Sequence, residues 1–127
     1  MNLYHGTGRD RLDGLLRGKP RRTPRPYLGG RLAFSTTTDF EIAALFALRR
    51  SHPSLLSGDE SGAGVVLEYS LDERKPGWCD ARCPGVLQDE KEVAILRDGI
   101  LTLVAVWTLK DGDWARQELR RLGSVLI

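Results

Sequence analysis

The chain is poor in the residues from which metal sites and disulfide scaffolds are built: it has two cysteines and two histidines in 127 residues. Cys79 and Cys83 stand in Cys-Asp-Ala-Arg-Cys, and His52 is the one histidine outside the N-terminal segment. A structural zinc would need two further ligands beside the thiols, so a reduced pair in a loop is expected, and no metal. Long apolar runs are also missing. None approaches the roughly 20 residues of a membrane span, and Met1 precedes the first motif too closely for a signal peptide. A soluble, cytoplasmic protein is the expectation, unless a secretion system reads some other signal. Hydrophobic residues make up 41% and charged residues 28%, which excludes an intrinsically disordered chain and leaves one domain, residues 1–127, with a real core.

A net charge of +2 conceals an uneven distribution. Arg9, Arg11, Arg17, Lys19, Arg21, Arg22, Arg25 and Arg31 face only Asp10 and Asp13 within the same stretch. Such a block, with Arg17, Lys19, Arg21, Arg22 and Arg25 at its centre, suits a nucleic acid, an acidic protein surface or a pyrophosphate. A solvated surface loop would look the same.

Periodicity divides the chain into short elements. Leu3 to His5 reads as a strand stopped by Gly6, and Leu12, Leu15 and Leu16 have helical spacing over Arg9 to Leu16. The prolines and glycines of Lys19 to Gly30 predict a loop without regular structure. Leu32 to Ser35 reads as a strand. Thr38 to Arg50 is the clearest helix, with Thr38 and Glu41 in a capping-box pattern and an apolar face of Phe40, Ala43, Ala44, Ala47 and Leu48. Ser51 to Gly64 is a second loop, Val65 to Ser70 a buried strand, and Leu71 to Leu87 a third irregular stretch. Lys91 to Leu96 and Ile100 to Leu109 then form a β-hairpin about Arg97-Asp98-Gly99. Asp113 caps a last helix through Leu122, and Val125 to Ile127 dock on the body.

Three segments carry candidate chemistry. Glu90 and Glu92, two apart at the start of an apolar strand, would point the same way, and two like charges so placed are unfavourable unless a site uses them. Leu3-Tyr4-His5-Gly6-Thr7 puts a histidine and a glycine at a strand end, where a flat ligand can approach backbone. Phe34-Ser35-Thr36-Thr37 leads into the main helix. In this order the three segments resemble the signature motifs of the NAD-dependent ADP-ribosyltransferases: the Tyr-His-Gly-Thr strand of the diphtheria-toxin-like and poly(ADP-ribose) polymerase branch, and the Ser-Thr-Ser strand and Glu-x-Glu of the clostridial-toxin and arginine-specific branch. The likeness spans roughly Leu3 to Leu109.

That resemblance implies an α+β fold, an ADP-ribosyltransferase-like split β-sandwich of two antiparallel sheets with short flanking helices and NAD as co-substrate in the cleft between them. It implies Glu92 as the catalytic carboxylate beside the ribose and Glu90 as a helper in deprotonating the acceptor. His5 would bond a ribose hydroxyl, Gly6 and Thr7 would hold the nicotinamide end through the strand, and Tyr4 would face the core or cleft wall. Ser35 and Thr36 would brace the glutamate and the ribose, and Phe34 and Phe46 are candidates for stacking on nicotinamide. His5 belongs to one branch and Glu-x-Glu to the other, so the acceptor stays open. The implied activity is mono-ADP-ribosyl transfer with nicotinamide release, of a toxin-like or modifying kind. An RNA 2′-phosphotransferase of similar fold and a non-catalytic NAD- or nucleic-acid-binding module are the alternatives.

Overall fold

The computed structural model describes residues 1–18, 20–50, 62–80, 82–83 and 85–119. Strand β1 (Asn2–Thr7) leads through a 3-10 turn (Arg9–Arg11) into helix α1 (Leu12–Arg17), followed by β2 (Thr23–Arg25), β3 (Arg31–Thr37) and helix α2 (Phe40–Arg49). Then come β4 (Val65–Leu71), β5 (Trp78–Cys79), β6 (Glu92–Ile95), β7 (Leu101–Lys110) and β8 (Asp113–Glu118). The strands form one eight-stranded sheet in the order β5-β6-β3-β1-β4-β7-β8, with β2 on β3. Every pairing is antiparallel. The α+β expectation therefore holds in its coarser form. At the centre, β1 meets β3 at a single pair, Tyr4 with Thr37, whereas β1 and β4 are paired along six positions.

Packing explains the glycines of this region. Helix α2 presents Ala43, Ala44 and Ala47 to β1 and β4, and small side chains let its backbone come close. A Cβ on Gly6 would collide with the Ala43 carbonyl and sit 2.8 Å from Ala47 N. Gly6 is thus required by the helix behind it. Asp39, not Thr38, caps α2, its side chain accepting from Glu41 N at 2.9 Å. Leu48, expected on the apolar face, is 40% exposed. The main core lies under the sheet, where Leu3, Leu67, Tyr69, Val93 and Leu103 are buried and Leu12, Leu15 and Leu16 of α1 close over them.

Several expected elements differ. β6 and β7 are not a hairpin: β6 lies between β5 and β3, β7 lies between β4 and β8, and three strands separate the two. All four residues of β6 are buried, so it needs neighbours on both edges, and β3 and β5 supply them. The segment expected as a last helix begins as β8, because Asp111 (φ 52°) and Gly112 (φ 82°) make the left-handed pair that closes a tight hairpin onto β7. The proline-rich loop contains β2 and a 3-10 turn at Pro26–Leu28. The third irregular stretch contains β5, which carries Cys79, and both cysteines are free thiols. Residues 51–61 of the second loop, and the chain end expected to dock, lie outside the described residues.

Candidate active site

Glu92 opens β6 at 2% exposure, which obliges the fold to supply it with partners. One oxygen accepts from Ser35 Oγ at 2.6 Å and from Tyr27 Oη at 2.8 Å; the other accepts from Leu87 N at 3.1 Å. Glu92 N returns a bond to the Leu87 carbonyl, so the residue is tied to that loop by main chain and side chain. Strand register places Ser35: Thr37 lies opposite Glu92, and Ser35, two residues back on the same face, is its diagonal neighbour. Tyr27 arrives from the 3-10 turn whose end is set by Gly29 in the left-handed region, φ 68°.

Burial, and then the bond to Glu92, push the Tyr27 phenol up to about 12, so it stays a donor at neutral pH. Sequence reasoning missed Tyr27, which lies in the stretch expected to lack structure. The signal was Pro26 at the start and Gly29-Gly30 at the end of a three-residue turn, a pattern that fixes a loop rather than freeing it.

Glu90 does not share a strand face with Glu92. It closes a 3-10 turn (Gln88–Glu90), and Lys91 then adopts a left-handed conformation, φ 48°, before β6 begins. The backbone reversal removes the two-residue alternation on which the expectation rested. Both carboxylates nevertheless line one cleft of about 790 Å³, a size suited to a ligand of several rings. Thr37 Oγ1 holds the Glu90 carbonyl at 2.7 Å.

His5 stands across this cleft. Its Nδ1 lies 2.7 Å from the Ser35 carbonyl, which can only accept, so Nδ1 carries the proton and Nε2 remains the acceptor nitrogen. Burial lowers its pKa to about 4, with Arg50, Arg25 and Arg11 adding in the same direction against the carbonyl bond. The imidazole is neutral at pH 7 and packs on Phe34, ring centres 4.3 Å apart. Ser35 thus joins both groups, its carbonyl to His5 and its hydroxyl to Glu92.

Gly6, Thr7, Phe34, Thr36 and Phe46 also line the cleft. Thr36 does not brace Glu92; its hydroxyl donates to the Val93 carbonyl at 2.7 Å and staples β3 to β6. Phe34 is 4% exposed and wedged between His5 and Tyr69. Phe46 has the Arg49 guanidinium 5.7 Å from its ring centre.

The basic block divides. Arg21 and Arg25 line the cleft, joined by Arg11 and by Arg50 from beyond α2, with Asp10 among them. Among the described residues Arg25 Nε is buried without a hydrogen-bond partner. Arg22 turns away to the Leu96 carbonyl at 2.6 Å, Arg17 is exposed at the end of α1, and Lys19 lies outside the described residues. Among the described residues no group of three or more His, Cys, Asp or Glu is placed to hold a metal, and no helix is long and apolar enough to cross a membrane. Comparison with known proteins finds no matching family model, curated protein or solved structure.

Proposed function

We propose that this chain is an NAD-dependent mono-ADP-ribosyltransferase. The observation that carries the reading is Glu92, a buried carboxylate oriented by Tyr27, Ser35 and Leu87 at the wall of a cleft that also contains a neutral His5. Cleavage of the bond between ribose C1′ and the nicotinamide nitrogen sends the bonding pair to nicotinamide, and positive charge grows on the ribose. A pre-oriented carboxylate stabilises that charge without reorganising. At about 4 Å and an effective dielectric near 20 the attraction is on the order of 4 kcal/mol.

The acceptor nucleophile then attacks C1′ and gives up its proton, with Glu90 as the base on the cleft rim. His5 Nε2 accepts from a ribose hydroxyl, and Phe46 offers a face to the nicotinamide ring, whereas Phe34, buried between His5 and Tyr69, backs the imidazole instead of stacking on the ligand. The arginines at the mouth, Arg25 with its unpartnered Nε above all, supply charge for the diphosphate. The single β1–β3 pair supports a split sandwich, in which the halves β1-β4-β7-β8 and β2-β3-β5-β6 part around the ligand.

The arginine-lined mouth also suits RNA 2′-phosphotransfer, the second reading, but that reaction leaves the three donors on Glu92 without a purpose. Purified protein given NAD alone separates the readings. Nicotinamide release, followed by chromatography, is expected without RNA; absence of both release and NAD binding by calorimetry would overturn the assignment.

A further inference from the structure

A second concavity lies outside the cleft, at the β5 end of the sheet. It is a groove of about 600 Å³, with Trp78, Leu32 and Leu96 among its apolar surfaces and Arg22, Arg31 and Arg97 around them. Trp78 is on β5, the terminal strand of the sheet, and is only half-buried. Leu32 is 48% exposed and lines the same groove.

The charges around this floor are not all engaged. Arg22 is committed to the Leu96 carbonyl at 2.6 Å and to Asp98 at 3.6 Å, and Arg82, whose guanidinium lies 5.7 Å from the Trp78 ring centre, is paired with Asp80 at 2.9 Å. Arg31 and Arg97 are exposed and take part in no ion pair among the described residues. The stem of Arg97 is held against Gly77, where a Cβ would come within 2.8 Å of it.

Trp78 packs in part on the main core and is partly exposed; between two arginines without an ion pair among the described residues, it matches a nucleotide unit, whose base stacks while its phosphates meet guanidinium groups. An acidic peptide would use the arginines but leave the tryptophan face and Leu32 without a flat partner. The groove and the cleft draw residues from the same segments. Arg22 faces the groove while Arg21, Thr23 and Arg25 face the cleft, and β3 contributes Arg31 and Leu32 to the one and Phe34 to Thr37 to the other.

We propose that this groove binds single-stranded nucleic acid, with a base on Trp78 and the flanking phosphates on Arg31 and Arg97. The claim is independent of NAD chemistry and is tested by binding. Fluorescence anisotropy with a labelled single-stranded oligonucleotide of about ten nucleotides is expected to show saturable binding that weakens with salt. In the Arg31→Ala/Arg97→Ala protein the slope of log K against log salt should shrink by roughly 1.4, at about 0.7 per phosphate. Trp78→Ala should cost roughly tenfold to a hundredfold in affinity. Trp78→Phe, which keeps a stacking face and the strand, should retain most of it. No binding by the wild-type protein, an equal or tighter grip on a duplex of the same sequence or on a polyglutamate peptide, or an unchanged salt slope in the double variant would each overturn the proposal.

Discussion

Ser35 is the residue through which the two halves of the candidate site communicate, because its hydroxyl orients Glu92 and its carbonyl orients His5. Tyr27→Phe and Ser35→Ala each remove one donor from a carboxylate that, in the proposed mechanism, faces developing charge. Each is expected to lower kcat for nicotinamide release about tenfold to a hundredfold with little change in KM, and the double variant should lose less than the product of the two, since they share one oxygen. Steady-state kinetics on NAD would check this; a change in KM alone would remove the pair from the transition state.

His5 makes a pH prediction. Its pKa falls from 6.5 to about 4 on folding, so the folded protein binds its proton less readily than the unfolded chain. The stability tied to the neutral ring is complete above about pH 6.5, declines as pH falls toward 4, and changes no further below that. Urea unfolding at pH 7.5 and 4.5 should show a smaller loss in His5→Gln than in the wild-type protein. Glu92, Ser35 and His5 were legible in the sequence because each sits in a short motif. Tyr27 was not, because the carboxylate it bonds lies 65 positions farther along the chain. Glu90 was placed on the wrong geometry, since the left-handed Lys91 leaves no trace in an apolar-polar pattern.

At the scale of elements, the close approach of α2 to β1 rests on Gly6, and on Gly64, where a Cβ would meet the Ala47 and Thr7 carbonyls. Gly6→Ala must push the helix outward against Ala43 and Ala47, and a loss of about 1–3 kcal/mol or more is expected in urea unfolding. Gly99→Ala, with open space around it and φ 82°, should cost about 1 kcal/mol through backbone strain alone. Equal losses at the two sites would contradict the packing argument.

The β4-β7-β8 side has its own polar anchor. Glu68, 4% exposed, meets Arg116 Nε and Nη2 at 3.1 and 3.0 Å and Trp107 Nε1 at 2.9 Å. Burial works to raise its pKa, but the bonds from Arg116 and Trp107 outweigh it and the net shift is downward. Arg116→Ala strands that carboxylate with one donor and is expected to cost about 3 kcal/mol. This anchor was invisible in the sequence, where Asp113 reads as a helix cap. The Asp111-Gly112 turn signal belonged to a hairpin instead, and that hairpin brings Arg116 to Glu68. Helix α2 was legible because its alanines recur at helical spacing, whereas strand order depends on partners far away in sequence.

For the molecule as a whole, the arrangement is a sheet joined at its middle by one residue pair, with the carboxylate on one side of the join and the histidine strand on the other. On the proposed reading, a ligand gripping both sides holds the halves together, so NAD should raise the unfolding temperature, and go on raising it with the logarithm of its concentration above the dissociation constant. The arginines of the cleft mouth should make NAD affinity fall with salt, and Arg25→Ala should flatten that dependence. The central claim is that Glu92 acts on the transition state rather than on binding. Nicotinamide release and NAD affinity measured side by side on the wild-type protein and Glu92→Gln test it most directly. The account predicts release lowered by roughly 10³-fold with the dissociation constant changed less than tenfold; turnover by Glu92→Gln at the wild-type rate would contradict it.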